Sequence, residues 1–158
     1  MVEVNSEEAK NGRALPDAGK AMKIGIVGSR SFDDRAKGFC AIAWILHKRG
    51  ISMSLMVSGG AAGADRIGEE YADANGIPKL VYPADWKRYG RQAGFIRNGY
   101  IIRDSDIIIA LWDMKSHGTK DDLTKAADSG KPSYIYDFIS GTIYEQIGPS
   151  EMNIIGTI

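Results

Sequence analysis

The chain has 158 residues and equal numbers, 20 each, of basic and acidic side chains. That length suits a single domain, and a net charge of zero argues against a generally basic nucleic-acid coat and against an acidic solvating tail. A lone cysteine, Cys40, excludes an intramolecular disulfide and a multi-thiolate metal site, and as a small apolar group it is expected in the core.

Residues 1–21 are polar, lack the apolar centre of a signal peptide, and are expected to form a flexible extension before the domain at 22–158. No apolar run approaches the roughly 20 residues that cross a bilayer, so a soluble cytoplasmic protein is the expectation, with no membrane contact. From Met22 the pattern changes. Residues 23–27 (KIGIV) read as a strand that ends in Gly28-Ser29-Arg30. Residues 34–49 follow with Phe39, Ile42, Ala43 and Leu46 at helical spacing, and Gly50 stops them. His47 falls late in this helix and is expected to face solvent. Residues 53–57 form a second strand before Ser58-Gly59-Gly60-Ala61-Ala62-Gly63. A helix is expected over 64–75, a strand over 79–82 and a helix over 92–103. Residues 106–112 (DIIIALW) are the strongest strand, apolar enough to be buried on both faces. A helix over 119–129 and a strand over 133–136 complete the pattern, and the tail to Ile158 is not placed. Strand–helix alternation of this kind predicts an α/β fold, a mostly parallel sheet with helices on both faces.

Glycine supplies 19 residues, roughly 12% against a usual value of about 7%. Much of the excess falls after strands: Gly28, then Gly59, Gly60 and Gly63, then Gly118. In such sheets ligands bind at the carboxyl ends of the strands. Ser58 to Asp65 (SGGAAGAD) offers backbone N–H groups and a helix N-terminus to an anion, although it is neither a P-loop nor a G-x-G-x-x-G fingerprint. Asp65 either complements that helix end or holds a ligand hydroxyl. Ser29 and Arg30 add a hydroxyl and a cation suited to phosphate. Ser116-His117-Gly118-Thr119 opens a further helix. Thr119 and Asp122 there fit either a capping box or a ligand site. Two histidines in all make a histidine metal cluster unexpected.

Residues 84–103 hold Lys87, Arg88, Arg91, Arg97 and Arg103 against Asp85 alone, a local charge of +4. Trp86, Tyr89, Phe95 and Tyr100 interleave with these cations. Stacking aromatics and phosphate-pairing arginines are nucleotide-friendly chemistry. A solvated helix face with Phe95 and Tyr100 in the core is the plainer alternative, and it accounts less well for Trp86 and Arg97.

GSRSF, VSGGAAGAD, PADW, GFIRN and ALWDMKSHGT, in that order over residues 22–137, resemble the SLOG superfamily, named for the Smf/DprA and Lonely Guy proteins, and within it the YspA-like branch of bacterial and phage proteins. The resemblance implies a Rossmann-like three-layer sandwich and a nucleotide-derived ligand. Lonely Guy enzymes cut the N-glycosidic bond of nucleoside 5′-monophosphates and carry Pro-Gly-Gly-x-Gly-Thr-x-x-Glu. Here Gly118-Thr119 match, Asp122 stands at the Glu position, Met114-Lys115-Ser116 replace Pro-Gly-Gly, and Arg97 is the candidate for the family's motif arginine. A carboxylate shortened by one methylene is displaced by about 1 Å, which bears on hydrolysis but not on phosphate binding. The candidate catalytic pair is therefore Arg97 and Asp122. The candidate ligand set is Gly28, Ser29, Arg30, Ser58, Gly59, Gly60, Gly63, Asp65, Trp86, Asn98, Ser116, Gly118 and Thr119. A nucleotide-type small molecule is the expected partner, with a homo-oligomer next and DprA-like single-stranded DNA binding ranked below nucleotide binding and hydrolysis. No cofactor is expected.

Overall fold

The computed structural model describes residues 20–158, so residues 1–19 of the expected extension lie outside the described residues. The elements are β1 (Lys20–Gly28), α1 (Arg35–Arg49), β2 (Ile51–Ser58), α2 (Ala64–Ala74), β3 (Lys79–Val81), α3 (Trp86–Tyr89), α4 (Ala93–Arg103), β4 (Ile107–Trp112), α5 (His117–Asp128), β5 (Ser133–Asp137), β6 (Thr142–Gly148) and β7 (Glu151–Thr157). They build one seven-stranded sheet in the order β3-β2-β1-β4-β5-β6-β7. Neighbours from β3 to β5 pair in parallel, whereas β6 and β7 run antiparallel. This is the expected Rossmann-like α/β arrangement.

β4 lies at the centre of the sheet and all six of its residues are buried. Its alternation serves both layers. Ile107, Ile109 and Leu111 join Ile24, Ile26, Ile42, Ile45 and Ile67 in the core on the α1–α2 side. Ile108, Ala110 and Trp112 join Ile101, Ile102, Leu123 and Ala126 on the α4–α5 side. A strand covered on both faces has no place for a polar side chain, which is why its sequence is a continuous apolar run.

In α1 the buried residues are Gly38, Ala41, Ile42, Ile45 and Leu46, a stripe with helical period. The Asp34 carboxylate accepts from the Lys37 N–H at the start, and Gly50 closes the helix in the left-handed region at φ 62°. Cys40 is exposed, contrary to expectation, as is Ala43. Both fall on the arc of α1 turned away from the buried stripe, and apolar chemistry does not override that phase. His47 is exposed as expected.

Several element limits differ from the sequence reading. β1 starts at Lys20, because Lys20 and Ala21 already pair with Ile51 and Ser52. The backbone ladder thus reaches into the polar segment assigned to the extension. α5 begins two residues early, at His117, and the short α3 was not expected at all; Asp85 caps it by accepting from the Arg88 N–H. The unplaced tail is the β6–β7 hairpin, which extends the sheet beyond β5. The order of strands reverses between β1 and β4, so their carboxyl ends flank the crevice where this architecture places ligands.

Candidate functional site

The loops after β1, β2 and β4 meet at that crevice. Gly28 ends β1 at φ 150°, and a Cβ there would run into the Leu111 carbonyl of β4 and the Ala64 side chain of α2. Ser29 then ties three elements together. Its N–H donates to the Leu111 carbonyl at 3.0 Å, and its own carbonyl accepts from Ala64 at 3.1 Å. Its hydroxyl accepts from the Asp113 N–H at 3.0 Å and lies 3.1 Å from the Ser116 hydroxyl. Asp113 in turn accepts from the Lys115 and Ser116 N–H groups, each at 2.8 Å. Burial alone would raise the Asp113 pKa, but these donors hold it below the usual carboxylate value. The β4–α5 loop is thereby braced around Met114, which has a left-handed φ of 66°.

The glycine-rich loop is organised from within. The buried Asp65 carboxylate of α2 accepts from the Gly59 N–H at 3.1 Å and the Ala61 N–H at 3.2 Å. Gly63 has φ 78°, and a Cβ there would strike the carbonyls of Ser29 and Arg30. Ser58 donates to Glu69 at 2.7 Å. Two of the amides expected to meet an anion thus already hold an internal one. Arg97 of α4 closes over this loop, with Nη1 donating to the Gly59 carbonyl at 2.7 Å. Asn98 donates to the Asp121 carboxylate at 3.1 Å and joins α4 to α5.

A cleft of about 500 Å³ opens above these contacts. Its walls include Gly28, Arg30, Asp65, Trp86, Asn98, Ser116, Gly118 and Thr119 of the expected ligand set, together with Arg97 and Asp122. A side pocket of about 270 Å³ adds Gly59 and Gly60 and shares Arg30, Ala61, Trp86 and Arg97 with the cleft. Ser29, Ser58 and Gly63 line neither cavity; their hydrogen bonds and close contacts lie inside the scaffold. The sequence reading did not select Arg91 or Phe95 for the site, yet both line the cleft. The signal was present in the +4 stretch, but their direction depends on how α3 and α4 turn. Trp86 and Phe95 are 54% and 55% exposed, and Tyr100 is also exposed, so Phe95 and Tyr100 do not occupy the core as the plainer reading had it. The core-facing positions of α4 are taken by Ala93, Asn98, Ile101 and Ile102.

The carboxylates of the cleft are unusual. Thr119 and Asp122 are both buried, and the N-cap of α5 is Ser116, so no Thr119–Asp122 capping box forms. Thr119 is already in the third helical position, where its side chain cannot cap its own helix start. Asp122 Oδ1 is buried without a hydrogen-bond partner among the described residues. Burial, and then the nearby Asp65 and Asp121 charges, push the Asp122 pKa well above the ordinary value, against the pull of Arg97 and Lys125. Burial also lifts Asp65 from 3.8 to about 6, although the Ala61 and Gly59 N–H groups and Arg97 oppose it. Burial thus favours the protonated form of both carboxylates, and for Asp65 the Ala61 and Gly59 N–H groups and Arg97 work against it. Among the described residues no group of three or more His, Cys, Asp or Glu is arranged to hold a metal ion.

A mostly parallel sheet with a cleft at its β1/β4 reversal defines a Rossmann-like arrangement. The chain belongs to the YspA, cpYpsA-related SLOG family: the family model matches residues 22–89, and the Gene 61 protein of Mycobacterium phage D29 is 33% identical over 116 residues, which cover 70% of this chain and 92% of that protein. The fold is also that of a solved structure of DNA processing protein A from Helicobacter pylori, described for its single-stranded DNA binding mode. The match has a TM-score of 0.51 and 24% identity over 72% of this chain, and it spans 64% of that protein's length. Among the described residues no helix is long and apolar enough to cross a membrane.

Proposed function

We propose that the cleft binds a nucleotide-derived small molecule, with sugar, phosphate and base read by different walls. The observation that carries this reading is Asp122 Oδ1, buried in the cleft wall with no partner among the described residues. A polar atom so placed costs about 1–3 kcal/mol until something meets it. A sugar hydroxyl both donates and accepts, so it serves Asp122 in either protonation state. Arg30, Arg91 and Arg97 supply cations for phosphate on the same walls. Asp65 occupies the Gly59 and Ala61 amides, so amides for phosphate are better sought at the start of α5, where no side chain caps the helix. Trp86 and Phe95 offer faces on which a base stacks, worth about 1–3 kcal/mol per base. A cleft of about 500 Å³ is within the usual range for small-molecule sites.

The carboxylate pair also fits N-glycosidic cleavage of a nucleoside 5′-monophosphate. Asp65, when ionised, would stabilise positive charge developing on the sugar as the base departs and water adds in its place, and Asp122, whose proton burial favours, would donate a hydrogen bond or that proton to the leaving base. Arg97 would hold the phosphate or the departing group. A second reading, single-stranded DNA binding, is favoured by one observation: Trp86 and Phe95 are half exposed beside Arg91 and the exposed Lys87 and Arg88. The description of the Helicobacter pylori protein agrees with it.

Calorimetry with nucleoside 5′-monophosphates, ADP-ribose-type compounds and cyclic nucleotides tests the first reading, and chromatography of the same mixtures reads any released base. Saturable binding that weakens in Asp122→Asn is expected. No heat at millimolar ligand overturns it. Salt-sensitive binding of oligonucleotides without mononucleotide binding selects the DNA reading instead.

A further inference from the structure

The exposed large apolar side chains fall into two groups. Four lie at or before the end of α4 in the chain, of which Trp86 and Phe95 line the cleft, Val81 ends β3 and Tyr100 lies in α4, and five (Ile139, Ile147, Met152, Ile154 and Ile158) belong to the last 20 residues. The cleft gives no account of the second group, which spans the β6–β7 hairpin from one end to the other. Ile154, opposite Tyr144 in the ladder, is 66% exposed.

The two edges of the sheet are built differently. β3, at one edge, has three residues, begins at Lys79 directly after Pro78, and is followed within two residues by Pro83. Lys79 is also held by Asp73 at 2.8 Å. Shortness, lysine and flanking proline are the devices that keep an edge from pairing. β7, at the other edge, has seven residues with neither proline nor lysine. Its pairing with β6 shifts register twice, at Ile155 of β7 and at Ile147 of β6, which leaves 152–154 as the regular stretch. Within 139–158 the only charges are Glu145, paired with Arg49 at 2.8 Å, and Glu151 at the start of β7. Such an edge suits another strand, low in charge and apolar on the same face.

We propose that β7 is a self-association edge, pairing antiparallel about a two-fold axis with β7 of a second copy of this chain. A second copy supplies the required row of N–H and C=O groups, the matching Met152 and Ile154 surface and no opposing charge in mid-strand. Two-fold symmetry closes the contact, so that each edge is consumed and no fibre propagates. The continuous sheet leaves both clefts open, since β3 and the β1/β4 reversal lie away from this edge.

Sedimentation of the full chain over a roughly hundredfold concentration range tests this. The expected mass is twice 17.2 kDa. Ile154→Lys, at an exposed position, is expected to halve that mass while leaving the circular dichroism unchanged. In a Cys40→Ser background, which removes the exposed native thiol, Met152→Cys or Ile154→Cys is expected to give an oxidant-dependent disulfide dimer. A chain that stays monomeric throughout overturns the proposal. So does a dimer that survives both Ile154→Lys and Met152→Lys, which would place the interface elsewhere.

Discussion

The buried Asp65 carboxylate should leave its mark on the pH dependence of folding. Its folded-state pKa of about 6 lies above the ordinary 3.8. Between those values the folded chain binds more proton than the unfolded chain, so stability falls as pH rises through this window. A rise of roughly 2 units corresponds to about 3 kcal/mol at 1.36 kcal/mol per unit. Asp122 adds to the same slope, because burial raises it as well. Asp104, held down to about 2 by hydrogen bonds from Arg103 and Tyr82, and Asp113 act in the opposite sense, but at lower pH, below the ordinary value of 3.8. Urea unfolding at steps from pH 4.5 to 8 therefore isolates the pair. Asp65→Asn removes the Asp65 ionisation, while its amide oxygen can keep only one of the two N–H donors, a loss of about 1–3 kcal/mol that does not vary with pH. The variant should start less stable at pH 4.5 and converge on the wild type by pH 8. About 1 kcal/mol is already lost below pH 4.5, so over the assay range the gap should close by about 2 kcal/mol, or about 0.7–2 M in urea midpoint. Parallel profiles for the two proteins would show that Asp65 is not held near 6 by burial, and would remove the basis for separate roles for the two carboxylates.

Gly28→Ala places a Cβ against the Leu111 carbonyl between two central strands, so a loss of about 3 kcal/mol or more is expected by chemical denaturation. At Gly59→Ala the nearest atoms to the new Cβ all belong to the movable Arg97 side chain; thermal stability should hold while nucleotide affinity falls about tenfold or more, or about 1.4 kcal/mol, by calorimetry. Trp86→Ala, at a half-exposed position, should change stability by less than about 1 kcal/mol. It should nevertheless weaken nucleotide binding by about 1–3 kcal/mol and abolish a ligand-dependent fluorescence change, with Trp44 and Trp112 as internal references. Released base, if detected by chromatography, should disappear in Asp122→Asn; persistence would separate that carboxylate from any cleavage.

Periodicity and local chemistry made most of the scaffold legible in the sequence. The apolar run of β4, the helical spacing in α1 and the glycines after β1 and β2 each respond to constraints within a few residues. The core strand–helix order and the location of the cleft could thus be read from the chain itself. The hairpin could not, because β6 and β7 mix exposed and half-buried positions and owe their form to pairing with β5. Cys40 was misplaced by chemistry without phase, and the alternative that put Phe95 and Tyr100 in the core fails for the same reason: a helix buries the residues on its inner arc, whatever their type.

The sequence by itself determined the α/β class, the parallel central sheet and the glycine-bearing loops at its carboxyl edge, since short-range pattern and backbone demands suffice for those. Only the tertiary structure decided what the loops do there. Ser58 and Gly63 serve the scaffold, and Asp65, four and six residues from its partners, spends the Ala61 and Gly59 amides. Asp122, 57 positions beyond Asp65 in the chain, is brought close enough for the two charges to couple. Hydrogen-bond ownership and mutual burial are set by which elements pack together, and no spacing in the chain records them.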